Sequence, residues 1–411
     1  MSISAFTESM RLLRTRNFGT FWFGCLLSNI GTWVQQVAQP WLLLSLGASP
    51  FLLGLDAFAL AAPVFLLTLI GGALADAKNR RNTILQFQSL QMLCPVLLVV
   101  SLLTHTIEPW IVITLSLVVG ITDGLSMPSF QSIVPSIVEK KQIAAGLALN
   151  ATQFNLSRIL GPAIAGVLIA GFGVVGAFGI SALSYVPFIL VALWILPKHS
   201  PTQLDAPELS WRTLRANVAE VLRQPMLRRA LATVFVSGLC CAPLVMFSPI
   251  LIKVALSGDV SHFSLVMGAF GVGGLLGAIN LSSLSEQRDR RTICSSFAIA
   301  YGLCVTLASQ CNSVWVLSLL FVLAGYTMTM SNTSANTLIQ TAATSSIRGQ
   351  SVSLFMLVMR GGMALGGLLT GFSIGFIGIR SALLINGLLA VLLQIAIFKL
   401  ILFEPIHPSI K

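Results

Sequence analysis

Charge is scarce in this chain. Only 9% of its 411 residues are Asp, Glu, Lys or Arg, against about 25% in a soluble globular domain. So few charges cannot cover a water-facing surface, which excludes an ordinary soluble protein. Strict alternation of polar and apolar residues is also missing, and with it the signature of a membrane β-barrel. The apolar runs are instead continuous and about 20 residues long, the length of a membrane-crossing helix. In lipid the backbone must satisfy its own hydrogen bonds, and helices do so within each segment. Other absences narrow the function. No Gly-Lys-Ser/Thr phosphate loop is present, so ATP drive is not expected. There is no nucleophile elbow, haem-attachment motif or metal-ligand cluster, and the loops are too short to house an active site. An enzyme is therefore not expected, nor is a cofactor. The seven cysteines (Cys25, Cys94, Cys240, Cys241, Cys294, Cys304, Cys311) fall mostly within apolar runs and read as small core residues. No histidine lies inside an apolar span. A cleavable signal peptide is not expected either, because residues 1–17 are polar and basic and the first apolar run is too long.

What is present is hydrophobic residues, 55% of the chain, with a mean hydropathy of +0.90. Breaks at Gly, Pro and charge clusters divide the chain into twelve spans. They cover 18–46, 51–75, 83–104, 109–130, 143–171, 174–197, 229–254, 261–284, 292–310, 313–332, 349–375 and 379–403. With both termini in the cytoplasm, 19 of the 24 basic residues fall on the cytoplasmic side, including Arg11, Arg14, Arg16, Lys140, Lys141 and Arg288. Lys253 and Arg380 fall on the other side, and Lys399 reaches the inner interface from the last span. Only Arg158 and Arg360 are left deep in the membrane. The net charge of +11 is thus a topology signal, and nucleic acid is not an expected partner. Trp41, Trp110 and Trp315 fall at outer span ends and Trp22 and Trp194 at inner ends, as in interfacial belts. Trp33 sits mid-span. The polar segment 198–228 carries Trp211, Leu214, Val218 and Val221 at helical spacing beside Arg212, Arg215 and Arg223. It reads as an amphipathic helix lying on the inner leaflet.

The two halves repeat. Gly72, Asp76, Lys78, Arg80 and Arg81 have the same spacing as Ser282, Glu286, Arg288, Arg290 and Arg291, 210 residues later. Gln131 pairs with Gln340 at a separation of 209, and Arg158 with Arg360 at 202. A constant order at near-constant separation indicates a duplicated six-helix unit, an architecture used by one large transporter class. The expected organisation is an all-α membrane protein: a six-helix bundle over 1–197, a linker over 198–228, and a second six-helix bundle over 229–411.

The segment GGALADAKNRR (71–81) resembles the loop signature of the major facilitator superfamily. SNIGTWVQQVAQPWLL (28–43), PSFQSIVPSIV (128–138), NLSRILGPAIAGVL (155–168) and IRGQSVSLFMLVMRGGMALGGLL (347–369) are similar to its branch of enterobactin-type siderophore exporters and macrolide-efflux-like proteins. The resemblance runs over nearly the whole chain. It implies two six-helix bundles around a central cavity that opens alternately to each side. It also implies export of a siderophore-like or drug-like small molecule from a bacterial inner membrane, driven by proton antiport; a monomer is expected. An importer or facilitator on the same fold, and a non-transporting receptor or assembly partner, remain open. Two residues depart from the pattern. Asn79 stands where the loop signature usually has Gly. Gly120, four residues before Gly124, stands where many proton-driven drug exporters carry an arginine in span 4, so that coupling scheme does not transfer.

Candidate functional residues follow. Asp56 and Asp123 are the only carboxylates inside spans, so any proton relay must use one or both; burial favours the neutral form of a carboxylate. Arg158 and Arg360 are costly in lipid, by about 3 kcal/mol on insertion scales, and should face water, an acid or a cavity. Asp76, Lys78, Arg80 and Arg81, with Glu286, Arg288 and Arg290 in the second half, are expected to gate the cytoplasmic side. In span 1, Asn29, Thr32, Gln36 and Gln39 share one helical face, which should line the cavity together with Trp33. Interhelical hydrogen bonding is the alternative use of that face. Gly161-Pro162 and Gly166, with Ala165, resemble the antiporter signature of span 5 and read as a close, bendable helix pivot.

Overall fold

The computed structural model describes residues 11–77, 80–139, 142–196, 218–283, 289–342 and 348–402. Among these residues there is no β-strand, and twelve helical spans follow one another. The first four are α1 (Arg16–Ser45), α2 (Pro50–Ala77), α3 (Arg80–Leu103) and α4 (Pro109–Ile137). Helix runs on through Ile143–Trp194 but is broken at Gly173 (φ 66°, ψ −173°), giving α5 (143–172) and α6 (174–194). The seventh span, α7 (225–255), is irregular. Helix over Pro225–Val236 passes into a π-turn at Ser237–Cys241, two short helical turns, and a second π-turn at Leu251–Ala255. Pro243 and Pro249, which lack the amide proton an α-ladder needs, fall between these turns. Then come α8 (Val260–Ser283), α9 (Arg290–Ser309) and α10 (Val314–Ala342). Arg348–Leu402 is broken at Gly378 (φ 76°, ψ 164°) into α11 (348–377) and α12 (379–402).

Eight helices among the described residues are long and apolar enough to cross a membrane, and two of the eight are the pairs α5–α6 and α11–α12. This is the expected all-α membrane architecture of two six-helix sets, α1–α6 and α7–α12. The duplication shows in the backbone. The fifth and sixth helices of each set are joined by one glycine whose dihedrals only glycine tolerates.

By packing, the chain forms two compact units: Met1–Ala48 with Ala59–Glu208, and Ser49–Phe58 with Leu209–Lys411. The first turns of α2 thus belong to the second unit. There Gly54 lies against the backbone of Gly367, and Gly371 against that of Pro50.

Within each unit glycines set the helix crossings. A Cβ on Gly120 would meet the backbone oxygens of Leu60 and Ala59, and one on Gly124 would come 3.0 Å from that of Pro63, so α4 crosses α2 backbone to backbone. The second unit repeats this with α8 and α10. Gly273 abuts Val322, Gly325 abuts Phe270, and a Cβ on Gly277 would come 2.8 Å from the oxygen of Tyr326. Because lipid supplies little hydrophobic force between helices, close approach through small residues is what holds such pairs.

One expectation about tryptophan is corrected. Trp22 is only 7% exposed, and its indole Nε1 donates to Leu149 O at 2.7 Å. It is a buried α1–α5 tie, since an indole N–H inside a bundle needs an acceptor. Trp110, Trp194 and Trp315 are exposed. All seven cysteines are buried and free. Of the expected amphipathic linker, 198–217 lie outside the described residues; Val221 is buried in the core cluster with Leu227, Leu231 and Phe355.

The start of α9 carries a cap that the basic-residue count passes over. Asp289 Oδ1 accepts from the backbone N–H and the Nε of Arg291, each at 3.0 Å, and Oδ2 accepts from Thr292 Oγ1 at 3.1 Å. Partial burial pushes its carboxyl pKa up, but the Arg291 and Thr292 hydrogen bonds and the Arg291 charge outweigh this, and the net shift is downward. A depressed carboxyl pKa stabilises the fold above the unfolded value of about 3.9 and loses that contribution as pH falls through the folded value. The Asp289 side chain is 45% exposed. Asp289→Asn should therefore cost less than about 1 kcal/mol at neutral pH. The gap in melting temperature between variant and wild type should close as the pH is lowered below the unfolded value of about 3.9.

Candidate functional site

The first unit contains a continuous hydrogen-bonded path through four helices. Ser28 Oγ on α1 donates to Gln88 Oε1 on α3 at 3.2 Å. Gln88 Nε2 donates to Gln91 Oε1 at 2.8 Å, and Gln91 Nε2 donates to Asp123 Oδ1 on α4 at 2.8 Å. Gln88 and Gln91 are both buried. They share a face of α3 because they are three residues apart. One turn along α1 from Ser28, Thr32 Oγ1 donates to Ser28 O at 3.1 Å and pairs with Tyr185 Oη on α6 at 2.8 Å. Asp123 thus sits at the receiving end of a chain of amides, all oriented to donate toward a carboxylate. The amides of Gln88 and Gln91 both have partners, as an apolar interior requires.

Arg158 is on α5 and is 8% exposed. Three residues further on, Gly161 lies directly against the Trp33 side chain of α1. Trp33 also meets Phe154 edge to face, with ring centroids 6.4 Å apart. The mid-span position of Trp33 thus has a packing reason: it fills the gap left by Gly161. Pro162 and Gly166 are buried as well. In the second unit the equivalent crossing is α7 with α11. Gly366 lies against Leu239, and a Cβ on Gly362 would come 2.8 Å from Phe235 O. Arg360, two residues before Gly362, is half-buried.

The polar stripe of α1 divides. Gln39 is buried and its amide donates to Ser116 Oγ on α4 at 2.8 Å, and Thr32 is engaged with Tyr185. Asn29, Trp33 and Gln36 are half-buried. Asp56 is 6% exposed and lies in the part of α2 that packs with the second unit.

Of the expected gate, Lys78, Glu286, Arg288 and the side chain of Asp76 lie outside the described residues. Arg80 is buried. Arg81 reaches the end of α6, with Nε donating to Ala192 O at 2.9 Å and Nη2 to Leu193 O. A guanidinium on the last carbonyls of a helix is favoured by the helix dipole. Arg290 is half-buried at the start of α9. Gln88, Gln91 and Tyr185 are absent from the sequence-derived candidates. Their signal was present, as two amides at i, i+3 inside an apolar span, but a search weighted toward charge passes over neutral donors.

Twelve helices in two repeated sets, with ionisable residues held inside them, define a transporter of the major facilitator fold. The family model described as "Transmembrane secretion effector" matches residues 7–407, and the chain belongs to that family. It is 25% identical over 344 residues to the multidrug efflux pump Tap of Mycolicibacterium fortuitum, covering 81% of this chain and 83% of that protein. It is 23% identical over 373 residues to the staphyloferrin A transporter of Staphylococcus aureus, covering 90% and 92%. Among solved structures, the nucleoside transporter NupG matches with a TM-score of 0.69 at 14% identity over 95% of this chain and 100% of that one. A bacterial homologue of the lysosomal transporter Spinster, inward-facing and unoccupied, matches with a TM-score of 0.70 at 16% identity over 96% and 99%. These two likenesses show the fold.

Proposed function

We propose that this transporter exports a siderophore-like or drug-like small molecule across the bacterial inner membrane by proton antiport and alternating access, as a monomer with both termini in the cytoplasm. The observation that carries the coupling part is the amide path from Ser28 to Asp123. It fixes an intramembrane carboxylate as an acceptor, so that a charge is held at a defined point within the helices. Arg158, Arg360 and Asp56 set the remaining charge of the pathway. Asn29, Thr32, Trp33, Gln36 and Gln39 form the polar face of α1 toward it, and Gly161, Pro162 and Gly166 form the pivot. Asp76, Lys78, Arg80, Arg81, Glu286, Arg288 and Arg290 gate the cytoplasmic side. The naming of one relative as an efflux pump and of another as a staphyloferrin A transporter supports this direction and substrate range.

Inverted membrane vesicles acidified inside should accumulate staphyloferrin A or a lipophilic cationic dye, and a protonophore should release it. Accumulation that persists when the pH gradient is collapsed would overturn proton antiport. Accumulation only in right-side-out vesicles would overturn export.

A further inference from the structure

The second unit carries a groove that none of the residues assigned to transport lines. It runs between the start of α2 and the end of α11, both in that unit. Ser49 and Phe51 line one side, and Gly371, Phe372, Gly375 and Phe376 the other. Its volume is ≈ 360 Å³, and it is open to the surface. Two glycines make the space. Gly371 lies against the backbone oxygen of Pro50, which seats α11 on the first turn of α2. One turn on, Gly375 is exposed, and nothing lies within 4 Å of where its Cβ would be. Phe372 and Phe376 pair with ring centroids 4.9 Å apart. They are 57% and 75% exposed, and Phe51 is 42% exposed.

The chemistry of the walls selects the occupant. Among the described residues no charged side chain lines the groove. Its one hydroxyl is already committed, since Ser49 Oγ accepts from the backbone N–H of Leu52 at 3.4 Å. Sites for soluble ligands carry a few polar groups that fix orientation, and here a polar solute has none to use. An engineered apolar cavity of about 150 Å³ stays dry and binds benzene; this groove is larger and needs a longer apolar group to fill it. Left unfilled, its walls forfeit dispersion contacts on one side. The groove lies at the ends of two membrane spans, where the surrounding material is acyl chain. Its open side lets a chain enter while the rest of the lipid stays in the bilayer.

We propose that this groove holds one acyl chain of a phospholipid, laid over Gly375 between Phe51 and the Phe372–Phe376 pair. With both termini in the cytoplasm, the lipid belongs to the outer leaflet. The chain occupies the space that Gly375 leaves and braces the seat of α2 on α11. Recognition is by shape and needs no contact with the headgroup.

The test uses the full-length protein in phosphatidylcholine nanodiscs that include a phosphatidylcholine with a diazirine on the upper part of one chain. After photolysis, peptide mass spectrometry should find labelling at Phe51, Phe372 and Phe376 several-fold above that at Phe172. Phe172 is the fair comparison, because it is 69% exposed and lies beside the Gly173 break as Phe376 lies near Gly378. Gly375→Leu puts a side chain into the groove and leaves the packed contact at Gly371 alone, so labelling should fall to the Phe172 level. Gly179→Leu, at a glycine outside the groove that also has open space around it, should label as wild type. Phe376→Ala removes an exposed wall, should lower labelling at Phe51 and Phe372, and covers the case in which Gly375→Leu fails to fold. Equal labelling of the groove and Phe172, or undiminished labelling in both groove variants, would overturn the site as ordinary bilayer contact. Loss of labelling on adding tetraphenylphosphonium would overturn the lipid assignment in favour of a lipophilic cation. A wild-type dimer that becomes monomeric in Gly375→Leu would overturn it in favour of a second copy of the chain.

Discussion

Gly273→Leu should leave almost no folded protein. Gly273 lies where α8 meets α10, and a Cβ there would collide with the carbonyl and Cα of Val322. The obstacle is backbone, which cannot rotate aside as a side chain can. The neighbouring contacts Gly277–Tyr326 and Gly325–Phe270 hold the two helices at the same short separation, so relief at one point must open all three. Inserting a side chain into a packed interface costs about 1–3 kcal/mol where neighbours can yield. Here the cost should exceed about 3 kcal/mol, because a crossing is lost rather than adjusted. Gly268, on the same helix, has no atom within 4 Å of an added Cβ. Gly268→Ala is thus the control for helix propensity, and it should be neutral or slightly stabilising. Size-exclusion profiles and melting temperatures of the two variants in detergent would settle the comparison. A monodisperse Gly273→Leu with near-wild-type melting would show that the crossing is not required.

The second large effect is expected at Asp123. If this carboxylate is the site that exchanges protons, Asp123→Asn should abolish uphill transport while leaving downhill exchange measurable. A pH step of one unit is worth about 1.4 kcal/mol, which supports about tenfold accumulation for one-to-one antiport. Wild-type vesicles should approach that ratio, and the Asn variant should stay near unity. Gln91→Leu separates chemistry from positioning. It removes the 2.8 Å donor to Oδ1 but keeps the carboxyl group, so uphill accumulation should survive at a reduced rate. Full accumulation by Asp123→Asn would move the coupling role elsewhere, and Asp56 would be the next carboxylate to test.

Much of the fold was legible because its signals are long. Each expected span overlaps an observed helix, and the breaks placed at 171–174 and 375–379 contain Gly173 and Gly378. The internal duplication was legible for the same reason, because it repeats over two hundred residues. The candidate site was legible in part. Charges inside lipid stand out, so Asp123, Arg158 and Arg360 could be picked from composition and position. The amides that serve Asp123 could not, because a glutamine in an apolar span reads alike whether it faces a cavity, a lipid or another helix. The stripe of α1 shows that ambiguity within one helix: Gln39 is spent on Ser116, while Gln36, one turn before it, stays half-buried. Gly120 is instructive in the other direction. The sequence shows only that an arginine is missing there. The structure shows why none would fit, since the position lies on the backbone of Leu60.

The one-residue junctions at Gly173 and Gly378 leave no slack. Two helices joined by a long loop can shift independently, but two joined by a single residue move as the arms of a bracket whose vertex is held. Any tilt of α5 about its seat on Trp33 is then handed to α6, whose Tyr185 grips Thr32. A tilt of α11 passes in the same way to α12, whose Gln394 holds the carbonyl of Thr233. Each six-helix set therefore contains a lever with both ends fastened to its first helix.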